Sequence, residues 1–191
     1  MESTETMESR LKRVDMHNYF LDRINIDMEN GNYIEASWLI YSCFENRYFR
    51  TLDKFKRKCK YCKKGGKCRK NKNELALRTK VNCVKRLYDN SVECICKAFT
   101  AELFEKTLAW IKERNTLMHE LLSLEFYEDT DERFKKCAET GLALLSETYL
   151  CCTKFRELFY TDGYEFVFPI NAMEGCTCKN KKEEENEQTN Q

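Results

Sequence analysis

The chain has 191 residues, a net charge of +1 and a mean hydropathy of −0.70. One Pro and six Gly are few for sandwiches or barrels with many tight turns, and no apolar stretch reaches the roughly 18 residues of a membrane span. A hydrophobic content of 42% is that of a globular protein. The composition therefore predicts an all-α fold of long helices.

Five helices are predicted from the apolar periodicity, arranged as an up-down bundle of four to five. They span 8–29, 33–55, 74–88 with a resumption near Ser91, 101–125 and 131–160. Asn30-Gly31 is expected to stop the first helix, Asn32 to cap the second and Thr100 to cap the fourth. Trp38 and Tyr41 belong to a wide inward face of the second helix. We expect a single domain over 8–170 and a polar, disordered tail over 176–191.

The cellular setting is predicted from the N-terminus and the cysteines. Residues 1–10 are polar and contain no apolar stretch, so we expect no signal peptide and a cytoplasmic protein that makes no membrane contact. Half of the twelve cysteines fall inside helical patterns, which indicates small buried side chains rather than disulfides. These six are Cys43, Cys83, Cys94, Cys137, Cys151 and Cys152.

A basic loop over 56–73 interrupts the helical pattern and is interpreted as an insertion. Residues 54–72 carry eleven Lys or Arg and no acidic residue, so the rest of the chain is net acidic. Such a segment suits a sequence-independent contact with RNA phosphates. The candidate RNA-binding residues are Lys56, Arg57, Lys58, Lys60, Lys63 and Lys64.

Three cysteines of the same loop have the spacing of part of a zinc knuckle. Cys59 and Cys62 are separated by two residues, and Cys68 follows. A fourth ligand could come from Cys176 or Cys178. No second pair with this spacing and no nearby histidine completes the site, so a zinc-free basic loop is the alternative to structural zinc.

Polar residues interrupt the apolar face of the fourth predicted helix. Arg114 and Asn115 break two apolar rows at one level, and His119 lies one turn beyond Asn115, which places the group in the middle of that helix. A buried guanidinium without a partner costs several kcal/mol, so folding alone gives no reason for this arrangement. The structural alternative is that Arg114 pairs with Glu113 or with a glutamate of another helix, and that His119 is an ordinary surface residue.

The pattern Arg114-Asn115-x3-His119 on a late helix of an all-α chain resembles the signature of the HEPN superfamily. The resemblance in the order of the helices covers about residues 8–160. It implies a helical bundle that dimerises with two signature helices facing across a basic cleft. It also implies metal-independent cleavage of RNA by the ribose 2′-hydroxyl, in toxins, phage-defence effectors or RNA-processing enzymes.

The resemblance assigns a role to each motif residue. His119 would transfer protons and position the nucleophile, Arg114 would bind the phosphate, and Asn115 would orient the site or hydrogen-bond the phosphate. Where toxins silenced by a nucleotidyltransferase antitoxin have a tyrosine, this chain has Leu121, which argues against that form of regulation. His17 has no motif around it and is expected to be an exposed residue.

The predicted function is a homodimeric endoribonuclease that needs no cofactor and has an antitoxin or regulatory protein as a partner. Two alternatives remain open. One is a non-catalytic HEPN module that binds a nucleotide, RNA or a protein partner. The other is a zinc-stabilised nucleic-acid-binding protein whose active feature is the basic loop.

Overall fold

The computed structural model describes residues 7–55, 75–121 and 127–161, and every regular element in these ranges is an α-helix. This confirms the prediction of an all-α fold. The six helices are α1 (Met7–Glu29), α2 (Tyr33–Phe55), α3 (Leu77–Asp89), α4 (Glu93–Ala98), α5 (Ala101–Glu120) and α6 (Tyr127–Thr161). None of the described helices combines the length and the apolar composition that a membrane span requires.

The turn between α1 and α2 confirms the stop predicted at Asn30-Gly31. Gly31 has φ +76°, a left-handed conformation that residues with a Cβ rarely adopt. Its N–H donates to Met28 O at 3.3 Å, and the N–H of Asn32 donates to Asp27 O at 2.7 Å. These two bonds form a Schellman motif, which satisfies carbonyls left open at the end of a helix.

The end of α3 has the same type of turn, but a serine occupies the left-handed position instead of a glycine. Ser91 has φ +56°, and its N–H donates to Tyr88 O at 2.9 Å. The N–H of Val92 donates to Leu87 O at 3.0 Å, which completes a second Schellman motif. The chain then turns directly into the short α4, the resumption predicted near Ser91.

The boundaries of the last two helices differ from the prediction at one end each. Thr100 caps α5 as expected, since its Oγ1 accepts the Leu103 N–H at 3.2 Å. However, α5 ends at Glu120, five residues before the predicted end at 125. The polar run 128–131, predicted to precede the last helix, lies inside α6. Acidic residues interact favourably with the N-terminal dipole of a helix, so this run begins the helix rather than breaking it.

The described residues form two compact units, and each unit takes part of α2, α5 and α6. Unit 1 contains the described residues within Met1–Cys43 and Ala109–Leu145, and unit 2 contains those within Phe44–Leu108 and Ser146–Gln191. The core of unit 1 is mainly aliphatic with two large rings, and its buried residues include Ile24, Ala36, Ile40, Trp110, Ile111, Leu117, Phe134 and Leu145.

The core of unit 2 is aromatic. The Phe99 ring is stacked on Phe104, with centroids 5.5 Å apart, and it lies 6.4 Å from the ring of Tyr48 and 6.5 Å from that of Phe155. Lys80 is buried among the apolar residues of α3, and its ammonium donates to Glu45 Oε1 at 3.1 Å. The one charged group buried on α3 therefore has a carboxylate partner.

None of the described cysteines forms a disulfide bond. Cys43, Cys94, Cys137 and Cys152 are buried, while Cys83 and Cys151 are half-buried. Two other positions differ from the prediction. Trp38, expected on the inward face of α2, has 58% of its surface exposed, and His17, expected to be exposed, is half-buried.

Candidate functional site

The motif from Arg114 to His119 occupies the last two turns of α5 rather than the middle of a helix. The sequence interpretation was wrong on this point because Leu121, Leu122 and Leu124 continue the apolar pattern, whereas the helix ends at Glu120. Leu121 is already in a turn and is 38% exposed. The motif therefore lies at the C-terminal end of α5.

Arg114 lies on the buried face of α5, as the row of apolar residues predicts. Leu103, Thr107, Trp110 and Leu117, which share this face at steps of three and four residues, are all buried. Arg114 is only 9% exposed. The interruption inferred from the sequence is therefore a charged side chain on a helix face that is otherwise buried.

The described contacts of the Arg114 guanidinium are with uncharged groups, so they orient it but do not neutralise its positive charge. Its central carbon lies 4.7 Å from the centroid of the Tyr41 ring, which is cation–π geometry. Its Nη1 donates to Asn115 Oδ1 at 3.3 Å, and its buried Nε has no hydrogen-bond partner among the described residues. Burial lowers the pKa of Arg114, and the nearby Tyr41 and Cys137 act in the opposite direction. The guanidinium remains protonated, because arginine is not deprotonated in proteins.

The glutamates on either side of the motif bind a different arginine. Arg133 on α6 donates from Nη1 to Glu120 Oε2 at 2.6 Å and places Nη2 3.6 Å from Glu113 Oε1. Hydrogen bonding to Glu120 raises the pKa of Arg133. Among the described residues no carboxylate forms an ion pair with Arg114, so the alternative in which it pairs with Glu113 is not supported.

Asn115 and His119 have different surroundings. Asn115 is half-buried and accepts the hydrogen bond from Arg114, which fits an orienting role. His119 is exposed, and within the described part of the chain it has no hydrogen bond or ion pair with Arg114 or Asn115. Five residues along an α-helix correspond to a rotation of about 140°. The structure thus brings Arg114 and Asn115 together, whereas His119 lies one turn beyond Asn115 and about 140° around α5 from Arg114.

A tight contact between α5 and α6 fixes the helix that carries Arg114. Trp110 Nε1 donates to Cys137 O at 2.8 Å. A Cβ built on Gly141 would lie 2.7 Å from three atoms of the Trp110 indole, so only glycine allows this approach. Burial raises the pKa of the Cys137 thiol to about 11, which favours the protonated thiol over the reactive thiolate.

The residues around Arg114 were not identified from the sequence. Tyr41 was expected only to be one of many inward residues of α2, and Arg133 and Gly141 carried no recognisable pattern. Their roles depend on which helix faces pack together in unit 1, and no local periodicity encodes this. The one available indication was Gly141 itself, because a glycine in the interior of a long helix lowers helix stability and is usually explained by close packing.

Several predicted site residues lie outside the described residues. These are Lys56, Arg57, Lys58, Cys59, Lys60, Cys62, Lys63, Lys64, Cys68, Cys176 and Cys178. Within the ranges that are described, no three His, Cys, Asp or Glu side chains are grouped as metal ligands would be. The zinc and loop hypotheses therefore remain predictions.

Comparison with known proteins provides no family assignment. No protein-family model, no curated protein and no solved structure matches this chain. The interpretation of the site accordingly depends on its residues, their burial and their contacts.

Proposed function

We propose that this protein is a metal-independent endoribonuclease of the HEPN type, in which Arg114 binds the phosphate that is cleaved. One observation carries the proposal: Arg114 is a buried cation that is oriented by Tyr41 and Asn115 and has no carboxylate partner among the described residues. An oriented guanidinium without a counter-ion is suited to an anionic ligand that arrives from outside, and phosphate oxygens match its planar donors.

The reaction that these residues support is transfer of the RNA phosphoryl group to the neighbouring ribose oxygen. The 2′-oxygen loses its proton and attacks phosphorus, the bond to the 5′-oxygen breaks, and that oxygen takes up a proton. The products are a 2′,3′-cyclic phosphate and a 5′-hydroxyl. His119 is exposed and can exchange protons with substrate and water, while Arg114 stabilises the added negative charge of the pentacoordinate phosphorus.

The proposed enzyme is a homodimer, because within one chain the Arg114 guanidinium and the His119 imidazole lie apart. Arg114 is buried and His119 is exposed on another side of α5. Two copies with their α5 helices face to face would supply two histidines and two arginines to one cleft. The basic loop over 56–73 would hold the RNA backbone, with or without structural zinc. A toxin or phage-defence role, and a regulatory partner other than the nucleotidyltransferase type, complete the proposal.

A non-catalytic binding module is the second candidate, and the exposure of His119 favours it. In that case Arg114 binds a nucleotide or RNA phosphate, and His119 takes no part in chemistry. Binding without cleavage would distinguish this candidate from the first.

The test is incubation of mixed RNA with the wild type, Arg114→Ala and His119→Ala in the presence of EDTA. The wild type should cut RNA and leave 5′-hydroxyl ends. Each variant should be slower by about 10²- to 10⁴-fold, the range for loss of a proton-transfer group or an oxyanion-stabilising group. Circular dichroism and thermal melting show whether each variant is folded. Equal cleavage by the wild type and folded His119→Ala would overturn the proposal.

A further inference from the structure

Trp38 is an exposed aromatic side chain beside the residue that holds Arg114. It is 58% exposed, whereas the other tryptophan, Trp110, is 4% exposed. Tryptophan is highly buried on average, and at binding surfaces it is among the residues that contribute most affinity. Trp38 is therefore a candidate ligand contact on the surface of unit 1.

The spacing along α2 links Trp38 to the candidate site. Tyr41 follows Trp38 by three residues, so the two side chains are neighbours on the helix surface. The Tyr41 ring contacts the Arg114 guanidinium at 4.7 Å. All three residues belong to unit 1. Their exposure decreases from the Trp38 ring, which is exposed, to the Tyr41 ring, which is half-buried, and to the Arg114 guanidinium, which is buried.

We propose that the Trp38 indole stacks on a base of single-stranded RNA whose phosphate is bound at Arg114. The inference rests on the proposed function, because it takes RNA as the ligand. Single-stranded RNA combines flat apolar bases with anionic phosphates, and proteins bind it by aromatic stacking together with positive charge. An apolar protein segment would match the indole but would leave the uncompensated charge of Arg114 without a partner.

The charges around Trp38 define the direction of the RNA strand. Glu35 lies one turn before Trp38, and its carboxylate is exposed, so phosphates are repelled from that side. Arg114 lies toward the Tyr41 side. The phosphate next to the stacked base therefore lies on the Tyr41 side of Trp38, and the RNA strand continues away from Glu35.

Binding can be measured without cleavage in full-length His119→Ala protein, using a fluorescent single-stranded oligoribonucleotide. Adding Trp38→Ala should weaken binding by about 5- to 150-fold, the range that stacking of one base gives. Trp38→Phe should retain most of the affinity, and Glu35→Gln should increase it. Leu150→Ala is the matched control, since Leu150 is an apolar residue of unit 2 that is 73% exposed. In protein that retains His119, Trp38→Ala should raise KM and leave kcat close to the wild type.

Tryptophan fluorescence gives a second readout in the same protein. RNA should quench the emission and protect it from acrylamide, which reaches the exposed Trp38 more readily than the buried Trp110. If the protein binds RNA but does not cut it, the proposed function fails and the stacking of Trp38 still stands.

Three results would overturn the inference: no RNA binding by the His119→Ala protein, equal affinity after Trp38→Ala, or unchanged fluorescence when RNA binds. Sedimentation adds a fourth. Conversion of a dimer to a monomer by Trp38→Ala, with unchanged RNA affinity, would assign Trp38 to a contact between copies.

Discussion

Two positively charged side chains are buried among the described residues, and their surroundings differ. Lys80 in unit 2 is 3% exposed, and its ammonium has Glu45 Oε1 at 3.1 Å. Arg114 in unit 1 is 9% exposed and has a ring, an amide and a thiol around it, but no carboxylate of the described residues. Burial of a charge is costly unless the charge is paired. Among the described residues, Lys80 thus has a carboxylate partner and Arg114 has none, which is the difference expected between a structural cation and one that binds a ligand.

Stacking on tyrosine does not distinguish Arg114 from other arginines. Arg47 in unit 2 lies 4.1 Å from the centroid of the Tyr149 ring, and no described residue forms a hydrogen bond with its buried Nε. Arg47 is half-buried, so solvent reaches part of it. The distinguishing features of Arg114 are its deeper burial and its bond to Asn115 within the motif. A tyrosine ring beside an arginine is therefore not by itself a sign of a binding site.

The largest expected effect comes from replacing each buried cation by methionine. Arg114→Met should lower the cleavage rate by about 10²-fold or more and should leave the melting temperature unchanged or higher, because it removes an unpaired buried charge. Lys80→Met should leave cleavage close to the wild type and lower stability by about 1–2 kcal/mol, because Glu45 loses its partner. Cleavage assays and thermal melts of both proteins test this. A strong loss of stability in Arg114→Met would remove the contrast between the two cations.

An intermediate effect is expected at the contact that fixes the Arg114 helix. Gly141→Ala should lower stability by about 1–3 kcal/mol, because the added methyl group collides with the Trp110 indole. It should also lower cleavage, since Arg114 lies one turn after Trp110. The control is Ala143→Gly at an exposed position of α6, which should cost about 1 kcal/mol through helix propensity and leave cleavage unchanged. Denaturant unfolding gives both free energies, and a stabilised Gly141→Ala protein would contradict the contact.

The smallest effects are expected at the two Schellman motifs, one in each unit. Ser91→Gly should stabilise the protein by about 1 kcal/mol, because a left-handed conformation costs a residue with a Cβ about that much. Gly31→Ala should destabilise it by a similar amount, since φ +76° is strained for alanine although no atom lies near the new methyl group. Changes of the same sign in both unfolding free energies would rule out this explanation.

Much of the fold could be predicted from the sequence because its information is local. The 3.6-residue period, Asn30-Gly31 and Thr100 defined helices whose boundaries agree with the structure at most ends. The burial of Arg114 was also predicted, since it occupies a row of apolar residues. Trp38 was misplaced because a wide apolar face does not reveal which of its edges is covered. Tyr41, Arg133 and Gly141 depend on contacts between distant helices, which a single sequence does not specify.

The end of α5 at Glu120 has a consequence for how a phosphate could reach Arg114. Carbonyl oxygens point outward from the last turn of a helix, and together with the helix dipole they give that end a partial negative charge of roughly half an elementary charge. Glu120 lies at the same end, but its carboxylate is paired with Arg133 and adds little to this charge. An anion moving along the helix axis would meet this repulsion first. Under the proposed function, a phosphate would therefore approach α5 from the side rather than along the helix axis.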